Sequence, residues 1–187
     1  MDKKTLRLLY KRKRAELDSL KIEELSIEIA NQILKLPIWG FDNFHIFMGV
    51  DNLKEINTNY IISVLQGRDK NIIIPKVISN AQLTHYLLTD ATKLKLNRWN
   101  VLEPINGIEL KPKNLQVVFV PLLAYDCYGD RVGYGKGYYD RTISILEKKS
   151  KILKFGIAFD EQETKNVPIF DFDKKMDLIV TQSRIII

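Results

Sequence analysis

Cysteine is nearly absent from this chain: its 187 residues include one, Cys127. No internal disulfide framework is possible, and a zinc site made of several cysteines is excluded. Histidine is almost as scarce, with only His45 and His85. Each lies in an apolar run, where a structural role is expected rather than a catalytic one. No apolar stretch is long enough to span a bilayer. The opening, Met1-Asp2-Lys3-Lys4-Thr5, lacks the apolar segment of a secretory signal. Internal repeats, low-complexity tracts and linker-like stretches rich in Pro, Gly and Ser are also missing. These absences predict a cytoplasmic protein without a membrane partner, folded as one domain over residues 1–187.

What the chain does have is positive charge. Lys and Arg number 29 against 23 Asp and Glu, a net charge of +6. An anionic partner such as a nucleotide, a polyglutamate or a nucleic acid fits that balance, and so does a plainly solvated surface. Much of the charge falls near the start, at Lys3, Lys4, Arg7, Lys11, Arg12, Lys13 and Arg14.

Periodicity predicts a helix over residues 3–17 with Asp2 as its cap, then a second over 20–36 that Pro37 ends. Leu25, Ile29, Ile33 and Leu36 form the inward face of the second. The period then changes. Residues 44–48 and 71–75 read as buried strands, and 84–88 as a half-exposed one. A helix lies between the first two, capped at Asn57 or Thr58 and running to Gln66. Val117, Val118, Phe119 and Val120 form the most β-branched run and predict a central strand. A helix from Tyr138 to about Lys149 and strands at 154–159 and 178–180 follow. Strands alternating with helices, the central ones continuously apolar, predict an α/β fold: a single three-layer domain with a mostly parallel sheet covered by helices on both faces. Ligands of such sheets bind in loops beyond the strand C-termini.

One loop of that kind stands out. Residues 129–141 read GDRVGYGKGYYDR, and four of the chain's nine glycines fall in it. Neither common nucleotide motif fits. Gly135-Lys136 is followed by Gly137, where a Walker A loop needs Ser or Thr, and the Gly-x-Gly-x-x-Gly spacing fails at both possible registers. The physics still favours phosphate. Glycines bring backbone N–H groups close to oxygens, Lys136 is a mobile point charge, and Arg131 and Arg141 are forked donors. The helix starting at Tyr138 adds its N-terminus. Asp140 could hold Mg²⁺ beside a triphosphate, or could simply stabilise the helix start. A tight turn or hairpin lined with solvated charges is the competing interpretation of the whole segment.

The segment 121–126, PLLAYD, followed by 129–141, resembles the signature of the 5-formyltetrahydrofolate cyclo-ligase family. The likeness extends along nearly the whole chain, through KKTLR at 3–7, KEINT at 54–58, Pro75-Lys76, Trp99-Asn100, Glu103-Pro104, AFDEQ at 158–162 and MDLIVT at 176–181. It implies conversion of 5-formyltetrahydrofolate, possibly polyglutamylated, to 5,10-methenyltetrahydrofolate, using ATP and Mg²⁺ and releasing ADP and phosphate. By that resemblance Lys3, Lys4, Thr5, Leu6 and Arg7 would touch ATP, with Arg7 also near the folate. Arg131, Val132, Gly133, Tyr134, Gly135, Lys136, Gly137, Tyr138 and Tyr139 would wrap ATP, and Tyr134 through Tyr138 would also face the folate. Lys136, Arg131 and Tyr138 are the implied catalytic residues, and Asp140 and Asp177 the implied Mg²⁺ ligands. Glu55 would bind the pterin. Met48 or Val50 would line that pocket, and Trp99 would stack there or serve as a core anchor. Leu122, Tyr125 and Phe172 depart from the family's usual Gly, Phe and His.

Two other readings compete. A basic RNA-binding module rests on the Lys/Arg-rich first helix, but no RNA-binding signature accompanies it. A diverged relative that binds nucleotide or folate without turnover is opposed by the intact Lys3, Arg7, Glu55, Lys136, Asp140 and Asp177. The expected protein is a monomer that acts on a small molecule and binds no nucleic acid.

Overall fold

The computed structural model describes residues 1–79 and 82–186. Two helices open the chain, α1 (Lys3–Ala15) and α2 (Ser19–Leu34). Asp2 caps α1 by accepting from the Thr5 N–H at 2.7 Å, and Asp18 caps α2 in the same way through Lys21. The elements after them are β1 (Asn43–His45), α3 (Asn59–Gly67), β2 (Asn71–Ser79), β3 (Gln82–Leu87), β4 (Leu94–Leu96), β5 (Leu102–Pro104), β6 (Glu109–Leu110), β7 (Val117–Pro121), β8 (Ala124–Tyr125), β9 (Arg131–Val132), α4 (Tyr138–Glu147), β10 (Leu153–Ile157), β11 (Leu178–Val180) and β12 (Ile185–Ile186).

Eight strands form one sheet in the order β12-β11-β10-β7-β1-β2-β3-β6. The five from β11 to β2 run parallel, and antiparallel strands close both edges. The parallel centre follows from the apolar runs. Val117, Val118, Phe119 and Val120 of β7 are buried on both faces, which only a covered strand tolerates. On one side Phe44, Ile72, Phe119 and Phe155 pack under α2 and α3. On the other, Ile73, Val118, Val120 and Ile179 meet Ile143 and Leu146 of α4. The expected three layers are present.

Helix α1 does not cover the sheet. Its Leu6 and Tyr10 pack on Leu123, Ala124 and Val132, that is, on the β8–β9 hairpin. A second elaboration, the β4–β5 pair, is tied to β2 where Glu103 accepts from the Val77 N–H at 3.0 Å. Neither hairpin was expected from the sequence, because strands of two or three residues carry too little periodicity to register. Both stand at the C-terminal end of the parallel strands.

Candidate active site

The hairpin divides the glycine-rich segment in two. The buried Asp126 carboxylate accepts from the N–H groups of Tyr128, Asp130 and Val167, which fixes the turn between β8 and β9. Arg131 and Val132 are therefore strand residues with buried side chains. Residues 133–137 alone form the loop that leads into α4.

That loop borders a cavity of about 280 Å³, completed by Lys3 and Arg7 of α1, Pro121 at the end of β7, and Phe170, Phe172 and Asp173. Lys3 and Arg7 are one helical turn apart and share a face. Lys4 and Thr5 between them are exposed, and Leu6 is buried beneath the hairpin. Of the five N-terminal residues expected at ATP, only these two cations line the cavity; Val132 is likewise core rather than lining. Arg7 Nε donates to the Gly133 carbonyl at 2.9 Å, so α1 clamps the loop. Gly135 has φ +89°, and an added Cβ would lie 3.1 Å from the Arg7 guanidinium carbon. Gly137, φ +71°, precedes α4 without capping it by a side chain. The first N–H groups of α4 are left for an anion, next to Lys136.

Asp140 and Arg131 pair at 2.7 Å across the cavity floor. Arg131 Nη1 also donates to the Lys174 carbonyl, and the Lys174 N–H donates back to Asp140 Oδ1 at 3.1 Å. Arg131 thus holds Asp140 and the 170–174 loop in place. Oδ2 of Asp140 accepts no hydrogen bond among the described residues, and Asp140 borders the cavity. Asp177 lies elsewhere. It precedes β11 at the opposite end of the parallel strands, where it accepts from the Lys154 N–H at 2.7 Å and pairs with the Lys154 ammonium. The structure does not bring the two expected metal carboxylates together. The reason is their position: α4 starts at the sheet's C-terminal edge and β11 at its N-terminal edge.

The other side of the loop faces a second cavity of about 260 Å³, mostly apolar, bordered by Met48, Val50, Glu55, Trp99, Tyr134 and Tyr138 among others. Met48 and Val50 both line it. Glu55 is its one deeply buried charge. Its Oε2 accepts from the Val50 N–H at 2.9 Å and its Oε1 from the Tyr134 hydroxyl. Burial raises its pKa, while Arg14, Tyr134 and the Val50 N–H act in the other direction. Trp99 is 42% exposed, so it is a wall and not a core anchor. The Arg98 guanidinium lies 4.2 Å from the Trp99 ring centroid. An open cleft of about 750 Å³ continues past Trp99 to Arg98 and Arg141. Lys136 and Tyr138 border all three spaces.

Sequence reading missed two groups. Arg14 is buried, with Nη2 donating to the Tyr134 hydroxyl at 2.5 Å. Its signal was the spacing of seven from Arg7, two turns along the same face. Phe170 and Phe172 stack with centroids 5.6 Å apart and planes 12° apart, with Lys3 over the Phe170 ring. No local period marks that pair. Lys3 also pairs with Asp173 at 2.5 Å, which gives the departing Phe172-Asp173 segment a place at the cavity mouth.

Comparison with known proteins gives a consistent picture. Residues 1–182 match the model of the 5-formyltetrahydrofolate cyclo-ligase family. A probable 5-formyltetrahydrofolate cyclo-ligase of Schizosaccharomyces pombe is 34% identical over 180 residues, covering 88% of this chain and 87% of the relative. The 5-formyltetrahydrofolate cyclo-ligase of Mycoplasma genitalium is 29% identical over 96% of this chain and 98% of its own. Among solved structures, Aquifex aeolicus 5,10-methenyltetrahydrofolate synthetase superimposes with a TM-score of 0.84 at 27% identity, over 99% of this chain and 92% of that one.

Proposed function

Because the chain belongs to the 5-formyltetrahydrofolate cyclo-ligase family, we propose that the two cavities flanking residues 133–138 are its ATP and folate sites. The enzyme carries out the ATP-dependent conversion of 5-formyltetrahydrofolate to 5,10-methenyltetrahydrofolate. The observation that carries the site assignment is that Lys136 and Tyr138 border both the cavity lined by Lys3, Arg7 and Asp140 and the mostly apolar one. A reaction that joins a phosphoryl group to a folate oxygen needs its two substrates to meet, and neighbouring cavities that share lining residues suit that need.

The formyl oxygen attacks the γ-phosphorus, the bond to the β-phosphate oxygen breaks, and ADP leaves. The N5 imidate phosphate then takes the N10 lone pair at its formyl carbon. The carbon–oxygen bond breaks, phosphate departs and N10 loses its proton. The protein's task is positioning and neutralisation of charge, since no protein nucleophile is required. Lys136, Lys3, Arg7 and the α4 N-terminus supply positive charge at the phosphates. Arg131 positions Asp140. The stacked Phe170 and Phe172 offer an aromatic face for the purine. Asp140, with Oδ2 unengaged, fits Mg²⁺, which usually takes one or two carboxylates and otherwise phosphate oxygens and water. Bound there, the ion would neutralise charge on the transferring phosphate. Asp177 is left out of this assignment.

Glu55 is assigned to the pterin, whose ring N–H groups need an acceptor, with Val50, Met48 and Trp99 against its faces. Arg98 and Arg141 suit the carboxylates of the glutamate tail, including a polyglutamate. No second copy and no nucleic acid is needed to complete the site, and we read residues 1–187 as a single catalytic domain.

The test is spectroscopic. Purified protein with 5-formyltetrahydrofolate should develop the methenyl chromophore only when ATP and Mg²⁺ are both added. Absence of product with all three present would sink this reading.

A further inference from the structure

Arg14 is a buried cation without an ion pair among the described residues. Its Nη2 donates to the Tyr134 hydroxyl, and its Nε has no partner. Tyr134 in turn donates to Glu55, a buried anion that also lacks a direct ion pair. A void of about 10 Å³ borders both Arg14 and Glu55, too small for a counter-ion. Each charge would be costly to bury alone.

We propose that Arg14 is a positioning residue that keeps Glu55 ionised through the Tyr134 hydroxyl, and thereby keeps the floor of the folate cavity an acceptor. The consequence for substrate rests on the assignment of Glu55 to the pterin. An ionised Glu55 can receive ring N–H groups beyond the two donors it already has, since a carboxylate offers about four acceptor positions. A protonated Glu55 would present a donor to a donor. The relay also ties three elements together. Tyr134 belongs to the phosphate loop, Arg14 to the helix that carries Lys3 and Arg7, and Glu55 to the folate cavity. The other groups around Glu55 do not replace Arg14. Tyr139 of α4 stays neutral because burial, followed by Glu55 itself, raises its pKa. Lys136 and Glu103 border the same cavity from opposite charge signs, and Lys136 is exposed.

The experiment is a carboxyl carbon NMR titration of Glu55 in the ligand-free wild type and in Arg14→Met, Arg14→Lys and Tyr134→Phe, with Glu55→Gln identifying the resonance. Removing an opposite charge at this range should raise the Glu55 midpoint by about one pH unit or more in Arg14→Met. Arg14→Lys should restore most of it, and Tyr134→Phe should reproduce part of the rise with the guanidinium in place. An unchanged midpoint in both Arg14→Met and Tyr134→Phe overturns the proposal.

Turnover adds a separable readout. With Arg14→Met, KM for 5-formyltetrahydrofolate should fall about tenfold for each pH unit as pH rises towards the new midpoint, and Glu55→Gln in the same background should remove that slope. A shifted titration together with an unchanged folate KM in Glu55→Gln alone would keep the relay and refute the pterin assignment.

Discussion

Lys136 is exposed on a loop, yet it borders the cavity proposed for ATP, the one proposed for folate and the open cleft past Trp99. A side chain in that position gains most when charge moves from ATP to the formyl oxygen, and less when either substrate binds alone. Lys136→Ala should therefore lower kcat by roughly 10² to 10³-fold, with smaller changes in either KM; steady-state kinetics against both substrates decide it. Near-normal kcat would remove Lys136 from the reaction. Glu55→Gln has a different signature. It keeps the shape but loses the charge, so KM for the folate should rise about tenfold while ATP affinity stays near normal. Lys136 was legible in the sequence from its glycine-rich setting, and Glu55 only through the family resemblance. Arg14 was not, since one more arginine in a basic helix looks solvated until the fold shows it buried against Tyr134.

At the scale of the element, the 133–137 loop is held from outside. Arg7 of α1 bonds the Gly133 carbonyl, and the Arg7 guanidinium fills the space where Gly135 lacks a Cβ. Gly135→Ala must adopt a positive φ that costs roughly 1–2 kcal/mol and must displace Arg7. The expected result is weaker binding of a non-hydrolysable ATP analogue, by about an order of magnitude, with folate binding much less affected. Calorimetry on the two ligands separately checks this, and equal losses for both would show a general collapse of the loop. The helix α1 was visible in the sequence by its cap and period. Its docking on the β8–β9 hairpin was not, because a two-stranded hairpin of two-residue strands has no sequence period and is fixed instead by the Asp126 hydrogen bonds.

For the whole molecule, the buried histidines link fold to pH. His45 and His85 sit on β1 and β3, with ring centroids 5.2 Å apart. Burial, followed by His85, holds the His45 pKa well below 6.5, and burial pushes His85 down to about 4. Both imidazoles are neutral in the folded state, whereas the unfolded chain takes up protons near pH 6.5. Their contribution is thus complete above pH 6.5 and is lost as pH falls towards 4. For His85 the span is worth about 3 kcal/mol. Urea unfolding should show stability dropping between pH 7 and 4.5, and His85→Gln should flatten that slope. Parallel slopes for variant and wild type would contradict the account. No described helix is long and apolar enough to cross a membrane.

The sequence by itself determined the family, the α/β class, the central strands and the glycine loop, because these depend on local period and on residue types at short spacing. Tertiary structure alone decided which of the expected residues share a cavity. It put Lys3 and Arg7 in the wall of one cavity and turned Leu6 and Val132 into the core. It set Asp177 against Lys154 and Asp140 against Arg131, and it joined Arg14 to Glu55 through Tyr134. Spacing along a chain says nothing about which end of a strand a side chain reaches, and a buried charge declares its partner only once the surrounding elements have excluded water.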